Sequence, residues 1–125
     1  MQWNSLCKIS DLIDNSGVCA YLEEEEGTGR QLALFKLVLA DGGQKLFAID
    51  NWDPIGQANV LSRGIAGSIQ GEPVVASPLY KQRFSLVTGR CLDDDSVRVP
   101  VYPVRLHEGA VQVANVQLAE LEEAC

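Results

Sequence analysis

The chain has a single histidine, His107, and that scarcity excludes a two-imidazole metal site within one copy. Its four cysteines, Cys7, Cys19, Cys91 and Cys125, are scattered with no Cys-x-x-Cys pair, a poor pattern for zinc, a cluster or a dithiol redox centre. In a reducing cytosol they read as free thiols, three of them buried as small hydrophobes and Cys125 at a loose end. Bases are also short: 10 Lys and Arg face 17 Asp and Glu, for a formal charge of −7. A nucleic-acid backbone or an anionic membrane surface draws its affinity from clustered Lys and Arg, so neither suits this chain. No apolar run approaches the roughly 20 residues of a membrane helix. The start, Met1-Gln2-Trp3-Asn4-Ser5, lacks the basic and apolar parts of a leader, and the expected compartment is the cytoplasm.

What is present suits one folded domain over 1–125, with 46% hydrophobic residues and many short strands between turn signals. Ser5–Ile9 and Gly17–Leu22 read as strands, with one helical turn capped by Ser10 between them. Gln31–Leu39 has little alternation, which predicts burial on both faces. Asp41-Gly42-Gly43-Gln44 is a hairpin signal, and Lys45–Asp50 returns from it. Further strands are Gly64–Ile69, Pro73–Ser77 and Arg83–Leu86. Val99–Leu106, an edge strand by its two prolines, then pairs with Ala110–Val113 around His107-Glu108-Gly109. Val116–Cys125 reads either as a short helix or as a tail. The class is all-β, a sandwich or barrel.

Most chemistry-bearing residues have a plain structural reading. His107 sits in a tight turn with no nucleophile motif beside it, so it reads as solvated. Asp93-Asp94-Asp95 and the pair Asp50 and Asp53 offer oxygen ligands for a hard cation, but without EF-hand spacing they read as turn residues. Glu23 to Glu26 covers a hairpin with charge. Gly27-Thr28-Gly29 precedes a strand and lacks a following Lys-Ser/Thr, so it is no phosphate loop.

Two loops stand apart. Asn51-Trp52-Asp53-Pro54 and Ser77-Pro78-Leu79-Tyr80 are followed by Phe84-Ser85-Leu86-Val87-Thr88-Gly89, and this frame resembles a Rieske iron–sulfur domain. A Rieske centre takes two thiolates on one iron and two imidazoles on the other. Here the resemblance puts Asn51, Asp53, Ser77 and Tyr80 at the four ligand positions, and none of them is soft enough to hold a cluster. Trp52, Pro54, Ile55, Leu79 and Tyr80 concentrate apolar surface in these loops, with Lys81 and Arg83 at the rim. They read either as a satellite core or as a partner-docking patch, and the sequence leaves both open.

The stretch Leu46–Pro54, then Val60-Leu61-Ser62-Arg63-Gly64-Ile65, Val75–Phe84, Thr88–Leu92 and Val101–Arg105 resembles the small subunit of cytosolic NAD(P)H-dependent nitrite reductase. The resemblance implies a Rieske-type antiparallel β-sandwich whose loop-rich 51–89 subdomain is vestigial. It implies a non-catalytic subunit with no cofactor and no metal of its own. The implied partner is a large subunit carrying FAD, an iron–sulfur cluster and sirohaem, and the complex reduces nitrite to ammonium in nitrate assimilation. Two other readings compete: an electron-carrying Rieske ferredoxin, which the ligand positions oppose, and a free-standing regulatory or small-molecule-binding β-domain.

Overall fold

A computed structural model describes residues 2–25 and 28–117, all in strands, short 3₁₀ turns and loops. The strands are β1 (Trp3–Lys8), β2 (Ser16–Glu25), β3 (Thr28–Val38), β4 (Gln44–Asp50), β5 (Trp52–Asp53), β6 (Ala58–Asn59), β7 (Ile65–Ile69), β8 (Glu72–Ala76), β9 (Arg83–Ser85), β10 (Val101–Tyr102), β11 (Val104–His107) and β12 (Ala110–Ala114). They form four antiparallel sheets with orders β1-β12-β11, β10-β4-β3-β2, β5-β6 and β7-β8-β9. The fold class is the all-β antiparallel one expected. Most of the helix-or-tail stretch Val116–Cys125, and the Glu26-Gly27 tip of the acidic turn, lie outside the described residues.

The four-stranded sheet is the middle layer. Along β3, Leu32 and Leu34 face a core shared with Leu22, Ala48, Tyr102, Val111 and Val113, against the β1-β12-β11 sheet. The intervening Ala33, Phe35 and Leu37 face a second core with Ile49, Leu61, Val75, Phe84 and Val99, against the β7-β8-β9 sheet. Successive strand side chains point to opposite faces, so where β3 lies between the two cores, at Leu32–Phe35, consecutive positions are apolar. That is why β3 does not alternate in sequence.

Two local expectations change. Ser10 does not cap the first turn. That turn is a 3₁₀ segment over Ile9–Asp11, and the Asp11 carboxyl accepts from the Lys8 N–H at 2.9 Å. A side-chain acceptor three residues ahead satisfies the orphan donor as well as a cap behind it would. Val99–Leu106 is likewise not one edge strand. Val101 and Tyr102 pair with β4, whereas Val104–His107 pairs with β12 in the other sheet. Pro103 stands at the change of sheet, where a residue with no N–H costs the ladder nothing.

Candidate functional site

β4 leads directly into the first of the two singled-out loops. The hairpin at Asp41-Gly42-Gly43 sets the β3–β4 register, pairing Leu32 with Asp50 and so bringing Gln31 opposite Asn51. The Asn51 N–H donates to the Gln31 carbonyl at 3.0 Å, and the Asn51 carbonyl accepts from Leu61 N–H at 3.0 Å. The Asn51 side chain is buried and fully engaged. Oδ1 accepts from Ser62 N–H at 2.7 Å, and Nδ2 donates to Gln31 Oε1 at 3.1 Å and lies 3.6 Å from Cys19 Sγ.

The second loop joins the first through two buried side chains. Asp53 and Ser77 are both sealed from solvent, and the Ser77 hydroxyl donates to Asp53 Oδ2 at 2.5 Å. Asp53 Oδ1 accepts from the N–H groups of Ile55 at 2.9 Å and Gly56 at 3.0 Å. Ser77 Oγ accepts in turn from Leu79 N–H at 3.3 Å. The β5–β6 turn also packs against the second loop. A Cβ placed on Gly56 would lie 2.4 Å from Leu79 Cδ1, so a larger residue there would have to displace the Leu79 side chain.

These residues do not fit a [2Fe–2S] cluster. Such a cluster needs thiolate and imidazole donors free to reach it. Here Asp53 and Ser77 spend their oxygens on each other and on backbone N–H groups. Asn51 is committed to Ser62 and Gln31. The buried side-chain atom left without a partner among the described residues is Gln82 Oε1, a hard amide acceptor that offers nothing to soft iron–sulfur chemistry. No group of three or more His, Cys, Asp or Glu able to hold a metal occurs among the described residues.

The fourth position behaves differently. Tyr80 is 65% exposed, and with Trp52 at 44%, Leu79 at 45% and Ile65 at 81% it leaves an apolar surface in water. The remaining members of the apolar set divide. Ile55 packs on the core beneath and Pro54 is half-buried, so these two are closer to a satellite core than to a free surface. Lys81 is exposed and adopts φ +62° to turn the loop. Arg83 is a half-buried rim residue held by a bidentate bond to Asp93 (3.2 and 2.7 Å). That contact holds the Asp93 carboxyl below the usual carboxylate range, chiefly through the Arg83 side-chain hydrogen bonds. The sequence did not single out Gln31 or Cys19 as part of this region, and it named Ser62 and Ile65 only within the stretch that carries the resemblance. The hairpin register was the one signal pointing to Gln31.

The other sequence candidates lie elsewhere. His107 is exposed on its turn, 3.9 Å from the neighbouring Glu108 carboxyl. Asp94 caps the N–H and hydroxyl of Ser96, a turn role. Asp50 accepts from the Tyr102 hydroxyl at 2.7 Å, which also meets Arg30. Burial first, then Asp50, pushes the Tyr102 hydroxyl well above its ordinary range. Of the three described cysteines, only Cys91 is buried. Cys7 is half-buried, and Cys19 is exposed because its strand position faces out beside Gln31. The expectation of three buried thiols is therefore corrected, and Cys125 lies outside the described residues.

Residues 2–114 match the family described as the Rieske-like [2Fe-2S] domain. The chain is 44% identical over 112 residues to the nitrite reductase (NADH) small subunit of Escherichia coli K12, covering 90% of this chain and 96% of that one. It superposes on the solution structure of the E. coli protein NirD with a TM-score of 0.77, at 40% identity over 92% of this chain and 98% of that one. It is also 41% identical over 122 residues to part of the nitrite reductase [NAD(P)H] large subunit of Klebsiella oxytoca, covering 98% of this chain but 12% of that protein.

Proposed function

Since the chain belongs to the Rieske-like [2Fe–2S] domain family, and within it to the small subunits of NADH nitrite reductase, we propose that it is a cluster-free, non-catalytic subunit of such an enzyme in the cytoplasm. Its partner is the large subunit, which carries FAD, an iron–sulfur cluster and sirohaem and reduces nitrite to ammonium with NADH or NADPH, in nitrate assimilation. Hydride and electron chemistry belong to those groups. This chain contributes binding surface and geometry from a single domain, with residues 51–89 as the former cluster-binding subdomain.

The observation that carries this reading is the Klebsiella match. A domain equivalent to this chain occurs there within a large subunit, so the two parts work in covalent proximity. The docking surface is the tip formed by Trp52, Leu79 and Tyr80, with Pro54, Ile55, Lys81 and Arg83 supporting its rim. Aromatics exposed together with a cationic edge are the composition of an interface core.

The test is NADH-dependent nitrite reduction by the purified large subunit, with and without this chain. A several-fold gain in activity and a co-eluting complex are expected. Equal activity with no complex would leave ancestry and fold as all that the resemblance describes. Anaerobically purified chain is expected to hold no stoichiometric iron; a [2Fe–2S] absorption spectrum would overturn the cluster-free assignment.

A further inference from the structure

A Rieske cluster does two jobs, because its four ligands come from two loops: it carries an electron, and it ties the loops together. The residues of this chain cannot do the first. The geometry points to a replacement for the second: we propose that Asp53 and Ser77 are a positioning pair that ties the two loops in place of a cluster. The inference rests on the docking reading above, since its use is to hold Trp52 and Leu79–Tyr80 in one fixed arrangement.

Position is the first argument. The resemblance puts Asp53 at an imidazole position of the first Rieske loop and Ser77 at a thiolate position of the second. The hydroxyl-to-carboxyl bond between them, 2.5 Å long, therefore bridges the loops at two former ligand sites. Among the described residues, it is the side-chain hydrogen bond that crosses from one loop to the other.

Connectivity is the second. The chain Leu79 N–H to Ser77 Oγ–H to Asp53, with Ile55 and Gly56 N–H on the other carboxyl oxygen, ties the turn after Trp52 to the turn before Tyr80. Both turns are short, and neither is covered by a regular sheet: β5 and β6 have two residues each, and 77–82 is a loop. Leu79 also approaches Gly56, but through a half-exposed, rotatable side chain.

Burial is the third. Both side chains are sealed from water, where a hydrogen bond between them meets no solvent competitor and an unpaired member would be penalised. A surface pair of the same chemistry would not hold a loop.

The test uses the whole chain with its large subunit. Ser77→Ala removes only the cross-loop bond; Asp53→Ala removes the hub; Asp53→Asn keeps an acceptor for Ile55 and Gly56 and a polar partner for Ser77. Circular dichroism and a thermal melt establish that each variant is folded. Amide hydrogen exchange of Ile55, Gly56 and Leu79 in the isolated chain reads the tie directly, and titration with the large subunit reads docking. Ser77→Ala is expected to speed exchange at these amides about tenfold and to weaken association about tenfold, each corresponding to the loss of one buried hydrogen bond. Asp53→Ala does the same or more, and Asp53→Asn recovers most of both. Unchanged exchange in Ser77→Ala and Asp53→Ala would overturn the pair's role as a tie. Faster exchange with unchanged association would overturn its positioning role, provided Trp52→Ala with Tyr80→Ala weakens association. If that double variant also binds as well as the native chain, the docking reading has failed and the proposal with it.

Discussion

Single residues here act through what surrounds them, and two glycines make the point. Gly42 and Gly89 both have positive φ, +88° and +79°. A Cβ on Gly42 meets nothing within 4 Å, whereas one on Gly89 would lie 2.0 Å from the Val99 carbonyl. Gly42→Ala should cost about 1 kcal/mol, the backbone penalty alone. Gly89→Ala adds a collision with main chain and should cost more than about 3 kcal/mol, or abolish folding. Urea denaturation of both variants checks the contrast; equal losses would mean that backbone strain alone sets the cost. Tyr102 gives a pH prediction. Burial raises its ionisation above the ordinary value of 10.0, so its contribution to stability is fully present below that pH and is lost as pH rises through the folded value. Tyr102→Phe should therefore flatten the stability profile above pH 10.0 while leaving its neutral shape alone, as alkaline denaturation curves would reveal.

At the level of elements, β3 is the strand on which both cores depend. Phe35 faces the core beneath the tip, and Leu34 faces the core against the β1-β12-β11 sheet. Phe35→Ala should cost about 3–5 kcal/mol and Leu34→Ala about 2–5 kcal/mol. Only Phe35→Ala should also increase amide exchange in β7 to β9, because only that side chain packs toward them; equal loosening on both sides would contradict the two-core description. This two-sidedness was legible in the unalternating sequence of Gln31–Leu39. The division of Val99–Leu106 between sheets was not, since a proline marks an interruption without saying which partner each side takes. Likewise the resemblance drew attention to Asn51, Asp53, Ser77 and Tyr80 before any contact between them was known. The side-chain hydrogen bonds that hold Asn51, one donated to Gln31 and one accepted from Ser62, were not legible, because they reach a neighbouring strand and a turn eleven residues away.

Across the whole molecule the charge is uneven. Between Asn51 and Gly89 the acids are Asp53 and Glu72 and the bases Arg63, Lys81 and Arg83, a stretch of net +1 in a chain of −7. The buried carboxyl of Asp53 faces inward, while Arg63 and Lys81 are exposed. Such asymmetry orients a molecule as it approaches a partner and acts mainly on the association rate. Arg63→Glu with Lys81→Glu should slow association with the large subunit by about tenfold at low salt, and by much less at high salt. Stopped-flow mixing across ionic strength measures this; a salt-independent rate would show that the tip's charge plays no part in encounter.

The sequence by itself determined the all-β class, the hairpins, the apolar middle strand and the lack of cysteine and histidine in the loops 51–56 and 77–82, because these depend on side-chain chemistry and on neighbours close in the chain. Tertiary structure decided where the side chains of those loops went. Asn51, Asp53 and Ser77 turn inward to hydrogen bonds, while Tyr80, like Trp52 and Leu79, is left in water. The physical reason is that a buried polar group must find its partner across the fold. No spacing along the chain records that Ser77 lies 2.5 Å from Asp53.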